Sequence, residues 1–400
     1  MCDTLVDYSQ VKNLKMLRVL ASQSCYPKLP LGYVGKLIHL RCLRLRGQSI
    51  NLPYSLGNLK YLETLDLSDS DVGKIPNVLW KLKRLKYLYL PDLQERWEPL
   101  KYPDFLDLQE RLERLKYLCL RNLWWPPQCC KLRLSEQLEI LESFDNVFCY
   151  PKDLCKMLNL RSFKANVYKN LEDLEHIINH ISNLDCLCIS SLTINDFDFG
   201  SNRGLDVLSR VLFSRKIHEL VIDDGICKKL PDYQSHMFPD PAGLTQLKLR
   251  YTRIKEDPMG TLEKLPNLRI LEVGSFSFLG QKMTCHSGGF PELKHLRLDY
   301  LIYLKRWVVK EGAMPKLSSL WIGECEELEM IPDGLRYVTT LKEVSLVDMP
   351  EEFNNRIRGV NGQQGEDYDK IRKVASVKIL RDLEDMMGYQ VEIVRPSNPV

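Results

Sequence analysis

A nine-residue pattern, apolar at its first, fourth, seventh and ninth positions, recurs from one end of this chain almost to the other. Leu37, Leu40, Leu43 and Leu45 spell it, as do Leu59, Leu62, Leu65 and Leu67. Leu82, Leu85, Leu88 and Leu90 repeat it, then Leu112, Leu115, Leu118 and Leu120. Looser copies run from Ile181 to Ile189, Leu265 to Val273, Phe290 to Leu298, Met314 to Ile322 and Val338 to Leu346. The third apolar position marks each copy: Leu20, Leu43, Leu65, Leu88, Leu118, Leu141, Phe163, Leu187, Leu220, Leu247, Leu271, Leu296, Leu320 and Val344. Most of these fourteen markers stand 22 to 25 residues apart. Repeats of this kind share one continuous core, so the chain grows by stacking rather than by folding into several globular domains.

This period and consensus are the signature of a leucine-rich-repeat solenoid. The expected architecture is an α/β horseshoe of about fourteen repeats, with a parallel concave sheet and an irregular or helical convex side. Each copy places a short strand with its leucines inward and the intervening residues outward. Prolines at Leu29-Pro30, Leu52-Pro53, Ile75-Pro76, Leu230-Pro231 and Ile331-Pro332 follow the markers and turn the chain toward the convex side. From Asn170 to Ile181 the apolar spacing of Leu171, Leu174, Ile177, Ile178 and Ile181 predicts a helix.

Two interruptions divide the series. The 88-to-118 gap holds a tandem copy, Asp92–Arg96 returning at Asp107–Arg111 and Leu100–Tyr102 at Leu115–Tyr117. An expelled loop or convex helix is expected there, followed by a rigid Trp124-Trp125-Pro126-Pro127 bridge. The second break lies around Asn195 to Arg203. The domain reading is basic repeats over 1–135 with a duplicated insertion at 92–117, further repeats over 136–350, and a cap with a loose tail over 351–400.

Thirteen cysteines look at first like a disulfide framework, but their placement argues for reduced thiols. Cys25 and Cys325 fall five residues after a marker, where the repeat favours Asn or Cys to bond the turning backbone. Cys42, Cys119, Cys186 and Cys188 sit inside predicted strands, and neither Cys129-Cys130 nor Cys186-x-Cys188 has the spacing of a zinc knuckle or a redox pair. With no signal peptide, sequon or membrane span in the sequence, a cytoplasmic setting is expected. Net charge is only +3 but uneven: residues 1–135 hold 22 Lys/Arg against 13 Asp/Glu, the remainder 34 against 40. Such asymmetry bears on partners rather than fold.

No catalytic, metal or cofactor constellation emerges, and an enzyme is not expected. His176 and His180 stand four apart, but Glu175 precedes the pair rather than lying between them. Gly32–Leu37 lacks the spacing and the Ser/Thr of a phosphate loop. Binding chemistry is left to the outward strand positions. These read Arg44, Arg46, Asp66, Tyr87, Tyr89, Tyr117 and Arg121, then Lys248, Arg250, Glu272, His295, Arg297 and Trp321. Tyr, Trp and Arg dominate protein–protein hot spots, so Arg44, Arg46, Tyr87, Tyr89, Tyr117, Lys248, Arg250, Arg297 and Trp321 are the candidate protein-binding residues. Nucleic acid is not an expected ligand, since acids interrupt the basic residues.

Several phrases carry a narrower resemblance. Glu256-Asp257-Pro258-Met259 followed by Thr261–Leu265, Gly288-Gly289-Phe290-Pro291-Glu292-Leu293, and Glu311–Leu317 are three of them. Ile331–Arg336 and the tail Gly365-Glu366-Asp367-Tyr368 are two more. Together they closely resemble the leucine-rich-repeat region of plant intracellular disease-resistance receptors of the coiled-coil nucleotide-binding class. The resemblance implies a part that senses a pathogen effector or a guarded host protein, and that restrains a nucleotide-binding module in cis or in trans. No Walker A loop or coiled coil precedes residue 11, so a fragment, a truncated product or an adaptor acting in trans is expected. A constitutive cytosolic scaffold bridging signalling proteins is the alternative.

Overall fold

The computed structural model describes residues 14–23, 31–74, 78–90, 114–119, 134–233, 241–359, 364–382 and 389–394. The chain divides into two compact units, Met1–Asn166 with Asn179–Ile189, and Val167–Ile178 with Ser190–Val400.

In the first unit the apolar markers become rungs of a parallel sheet. Its strands are β1 (Val19–Gln23), β2 (Cys42–Asn51), β3 (Thr64–Asp66), β4 (Ser70–Lys74), β5 (Tyr87–Tyr89), β6 (Tyr117–Cys119), β7 (Ile140–Asp145) and β8 (Ser162–Tyr168). Leu20 pairs with Leu43, Leu43 with Leu65, Leu65 with Leu88, Leu88 with Leu118, Leu118 with Leu141 and Leu141 with Phe163. The period-two alternation buries Leu43 with Leu45, Leu65 with Leu67 and Leu88 with Leu90 in one apolar stack. Truncating such a leucine to alanine costs about 2–5 kcal/mol. Strand starts are locked by a repeated bond: Arg41 and Cys42 both donate to the Arg18 carbonyl, at 2.7 and 3.0 Å, and Glu63 and Thr64 to that of Arg41.

Short 3-10 turns, Leu31–Lys36, Tyr54–Asn58, Leu79–Lys81 and Pro151–Lys156, carry the return path, and Pro53 sits at the start of one as the sequence predicts. These turns stack so closely that a Cβ on Gly35 would lie 2.4 Å from Ser55 of the next. In β7, Ser143 adopts φ 63° and the register slips from Leu141↔Phe163 to Phe144↔Ala165. One extra residue is accommodated there as a bulge.

The second unit continues the same logic in β9 (Ile189–Asp198), β10 (Glu219–Ile226), β11 (Gln246–Arg250), β12 (Ile270–Gly274), β14 (His295–Asp299), β16 (Ser319–Gly323) and β17 (Glu343–Val347). On the return side β13 (Lys282–Cys285) and β15 (Arg306–Val309) form a separate parallel pair. Leu220, Leu247, Leu271, Leu296, Leu320 and Val344 are successive register partners. Two sequence expectations change here. The residue opposite Leu220 is Leu192, not Leu187, and the strand begins at Ile189, so Cys186 and Cys188 precede it. Leu187 is buried as well, which is why the pattern alone could not separate the two. The rungs also do not stop at Leu346. After helices α4 (Glu351–Arg358) and α5 (Tyr368–Ile371), strand β18 (Ser376–Asp382) adds a further parallel rung, Val344↔Val377, and β19 (Tyr389–Val394) pairs with it antiparallel.

Helix α1 (Leu171–Ser182) fits its predicted span, with Leu174, Ile177, Ile178 and Ile181 buried. Asn170 caps it, its side chain accepting from the N–H groups of Glu172 and Asp173. Helix α2 (Asn202–Leu212), capped by Ser201, fills the second break, and α3 (Met259–Leu262) is a single turn on the return side. The duplicated segment before Arg114, Arg121 and the Trp124–Pro127 bridge lie outside the described residues.

One feature of the second unit recurs on seven successive rungs, from Leu192 to Val344. The fourth residue after each aligned apolar position is left-handed: Asp196, Asp224, Tyr251, Ser275, Tyr300, Glu324 and Asp348, with φ between 44° and 57°. That conformation costs a residue with a Cβ about 1–2 kcal/mol, and Asp and Asn are the side chains that tolerate it best. Tyr251, Ser275, Tyr300 and Glu324 are not of that kind. The turn is imposed by the stack, whose next rung accepts the N–H: Tyr251 donates to Ser275 O at 2.8 Å, and Tyr300 to Gly323 O at 3.0 Å.

Candidate recognition surface

Parallel register decides which outward side chains meet. In the first unit the positions just before the markers place Tyr87 opposite Tyr117, and those just after align Arg44, Asp66, Tyr89, Cys119 and Glu142. Tyr117 is the hub. Its ring lies 4.2 Å from that of Tyr89 and 6.5 Å from that of Tyr87, and its hydroxyl donates to Glu142 at 2.9 Å. Burial, with Glu142 beside it, pushes its phenol far above the ordinary range, so it stays a neutral donor. Burial raises the Tyr89 phenol as well. Tyr87 is 38% exposed and supplies the accessible edge of the cluster.

Beside the tyrosines, Arg44 bonds Asp66 at 2.6 Å. Burial would raise the Asp66 carboxyl, but bonds from Ser68 and Arg44 outweigh it and hold the group below the usual carboxylate range. Arg46 pairs with Asp69 at 3.1 Å, and Lys164 with Glu142 at 3.6 Å.

The outward face of the second unit is built alike. Lys248 pairs with Glu272 at 2.8 Å, and Arg250 reaches the same carboxylate at 3.8 Å. Arg297 lies over the ring of Trp321 at 4.5 Å and bonds Asp299 at 2.9 Å. Stacking an arginine on an indole holds both flat and presents a rigid contact, at small further entropic cost on binding.

Each nominated cation thus already has an internal acid, on the next rung for Arg44, Arg46, Lys248 and Arg250 and on its own strand for Arg297. Cations with no ion pair among the described residues include Arg18, Arg41, Lys60, Lys83 and Arg84 in the first unit. They sit at fixed offsets, two to five residues before a marker, along one edge of the sheet. Tyr61 belongs to this edge, with His39 stacked on it at 6.0 Å and Arg84 over its ring at 4.8 Å. The offset from the markers was the readable signal for this edge.

The remaining candidates are structural. His176 lies 3.6 Å from Glu172 of its own helix, and burial holds His180 below its ordinary pKa. Burial pushes the Cys325 thiol up to about 12, and its sulfur faces the Gly323 carbonyl at 3.2 Å, at the turn where the repeat favours such a group. Among the described residues no group of acids, histidines or cysteines could hold a metal ion, and no helix is long and apolar enough to cross a membrane.

A family model described as a leucine-rich repeat region matches residues 2–122 and 107–356. The chain belongs to the leucine-rich repeat region family. "Probable disease resistance RPP8-like protein 2" of Arabidopsis thaliana is 34% identical over 364 residues, covering 88% of this chain and 34% of that one. "Disease resistance protein RPP8" of the same plant is 32% identical over 380 residues, covering 92% of this chain and 36% of that one. This leucine-rich repeat region spans about a third of the length of the curated relatives it matches. Among solved structures, a leucine-rich-repeat protein of Leptospira interrogans gives a TM-score of 0.47 at 16% identity, over 94% of this chain and 86% of that one.

Proposed function

We propose that the chain is a protein-recognition solenoid of plant innate immunity, which senses a pathogen effector or a modified host protein and restrains a nucleotide-binding switch. The likeness to disease-resistance proteins over about nine-tenths of the chain supports the immune setting. The observation that carries recognition is the pre-stacked Tyr87–Tyr89–Tyr117 cluster, matched in the second unit by Arg297 on Trp321. Rigid aromatic and arginine anchors lose little freedom on binding. The switch contact is assigned to the basic edge, Arg18, Arg41, Lys60, Lys83 and Arg84, whose charges have no ion-pair partner among the described residues. An acidic face of the nucleotide-binding module, in cis or in trans, is its complement. Two surfaces on one solenoid then exchange a coupling free energy: engagement of one alters the hold of the other.

The test is co-purification of this chain with the coiled-coil and nucleotide-binding half of a close family receptor, at low and high salt. Salt-sensitive retention that is lost in Arg41→Glu with Arg84→Glu supports the restraint. Absence of retention at both salts, or retention indifferent to the reversals, removes it and favours a fixed scaffold.

A further inference from the structure

The left-handed row of the second unit carries more than a backbone turn. On three adjacent rungs it, or the residue beside it, exposes an aromatic ring: Tyr251 is 43% exposed, Phe276 39% and Tyr300 40%. The rings of Tyr251 and Phe276 stack at 6.4 Å with 25° between their planes. The Phe276 N–H donates to the Tyr300 carbonyl at 3.3 Å, which places the Tyr300 backbone next to that of Phe276 on the following rung. Phe276 itself has φ 58°, so both members of the stack hold a conformation that disfavours bulky side chains. A fold with no use for these rings would place Asn, Asp or Gly here, and the neighbouring rungs do place Asp196, Asp224 and Asp348.

The acids at the two ends of the aromatic run define its electrostatics. Asp224 stands one rung before Tyr251, and Glu324 one rung after Tyr300. The Tyr300 hydroxyl bonds Glu324, and this contact, with burial, raises its phenol to about 12, so it keeps donating. Nearby cations are engaged elsewhere, Arg250 with Glu272 and Arg297 with Asp299. Arg253, beside Tyr251, is an exposed cation with no ion pair among the described residues.

We infer that the Tyr251–Phe276–Tyr300 ridge is a docking site for a cationic segment of a partner protein, whose arginine or lysine side chains lie on the rings between Asp224 and Glu324. Ring faces attract cations, arginine the more often, and a carboxylate at either end pairs with the cations that overhang the rings. The ridge lies beside the outward face described above, and this inference does not depend on the immune reading.

The experiment measures binding of a fluorescent peptide of alternating arginine and glycine to the full chain by anisotropy, with an alternating glutamate peptide as control. Tyr251→Asn and Phe276→Asn remove a ring while supplying a side chain suited to the left-handed backbone. The expected result is a roughly tenfold loss of arginine-peptide affinity in each, with melting temperature unchanged or raised. Glu324→Gln should weaken binding by roughly fivefold, and Arg253→Ala should tighten it. Wild-type affinity in the Asn variants overturns the proposal. So does a lowered melting temperature in both, which makes the rings structural, or equal binding of the glutamate peptide.

Discussion

The carboxylate of Asp367 accepts the backbone N–H of Ile331 at 3.0 Å, across thirty-six residues of chain. Its other contacts are all cationic. Arg356 bonds both oxygens at 3.1 Å, and Lys370 lies at 2.9 Å while donating to the Ile331 carbonyl at 2.8 Å. Asp367 is 1% exposed, so this cluster pins α4 and α5 to the turn that begins at Pro332.

Asp367→Asn should therefore cost about 2–3 kcal/mol, because Arg356 and Lys370 lose their buried partner but keep the exposed acids Glu366 and Asp333. Denaturant melts of the variant and the parent check this. A loss below about 1 kcal/mol would mean that the cap is held by its apolar contacts alone.

The same group predicts an acid dependence. Burial raises the Asp367 carboxyl, but Arg356, Lys370 and the Ile331 N–H outweigh it and leave the folded pKa below the ordinary value. The stability it contributes is thus present above the unfolded carboxylate pKa, about 4, and is lost as pH falls through the lower folded value. Melting temperature measured from pH 6 down to pH 2 should fall in the parent and fall less steeply in Asp367→Asn.

Glycines report how tightly the return path stacks. A Cβ on Gly334 would lie 2.0 Å from the Val309 carbonyl oxygen, whereas one on Gly260, in α3, meets nothing within 4 Å. Gly334→Ala should destabilise by about 1–3 kcal/mol. Gly260→Ala should be neutral or stabilise by up to about 1 kcal/mol. Paired thermal melts distinguish them, and equal effects would refute the packing argument.

Thiol reactivity should follow burial. Burial lifts Cys227 to about 11 and Cys285 and Cys325 to about 12, which leaves almost no thiolate at neutral pH. Iodoacetamide applied to the folded protein should modify the exposed Cys155 and Cys188 and spare those three, as read by peptide mass spectrometry. Rapid labelling of Cys325 would contradict its buried placement.

Much of this fold is readable from leucines because one requirement, an apolar stack in parallel register, repeats at every rung. Leu43 opposite Leu65 and Leu296 opposite Leu320 follow from spacing alone. The shift to Leu192 was not readable, since Leu187 satisfies the same burial five residues earlier. Nor was the rung at Val377, because α4 and α5 stretch the interval beyond the period. For the candidate surface, residue type was legible and state was not. Arg44 and Lys248 are outward as expected, yet their charges are met by Asp66 and Glu272 on the next rung, and only the register exposes that.

The shared register of the aligned apolar positions has a consequence for how such a chain can change over generations. Every rung offers its successor the same edge, as the Arg18 and Arg41 carbonyls do for the strands that follow them. Recombination that gains or loses a whole interval between markers therefore leaves both new neighbours with a compatible edge. A gain or loss of one residue inside a strand flips its side chains to the other face unless a bulge absorbs it, as Ser143 does in β7. Inheritable novelty should accordingly arrive in whole rungs and in outward-facing substitutions, with the leucine frame left as it stands.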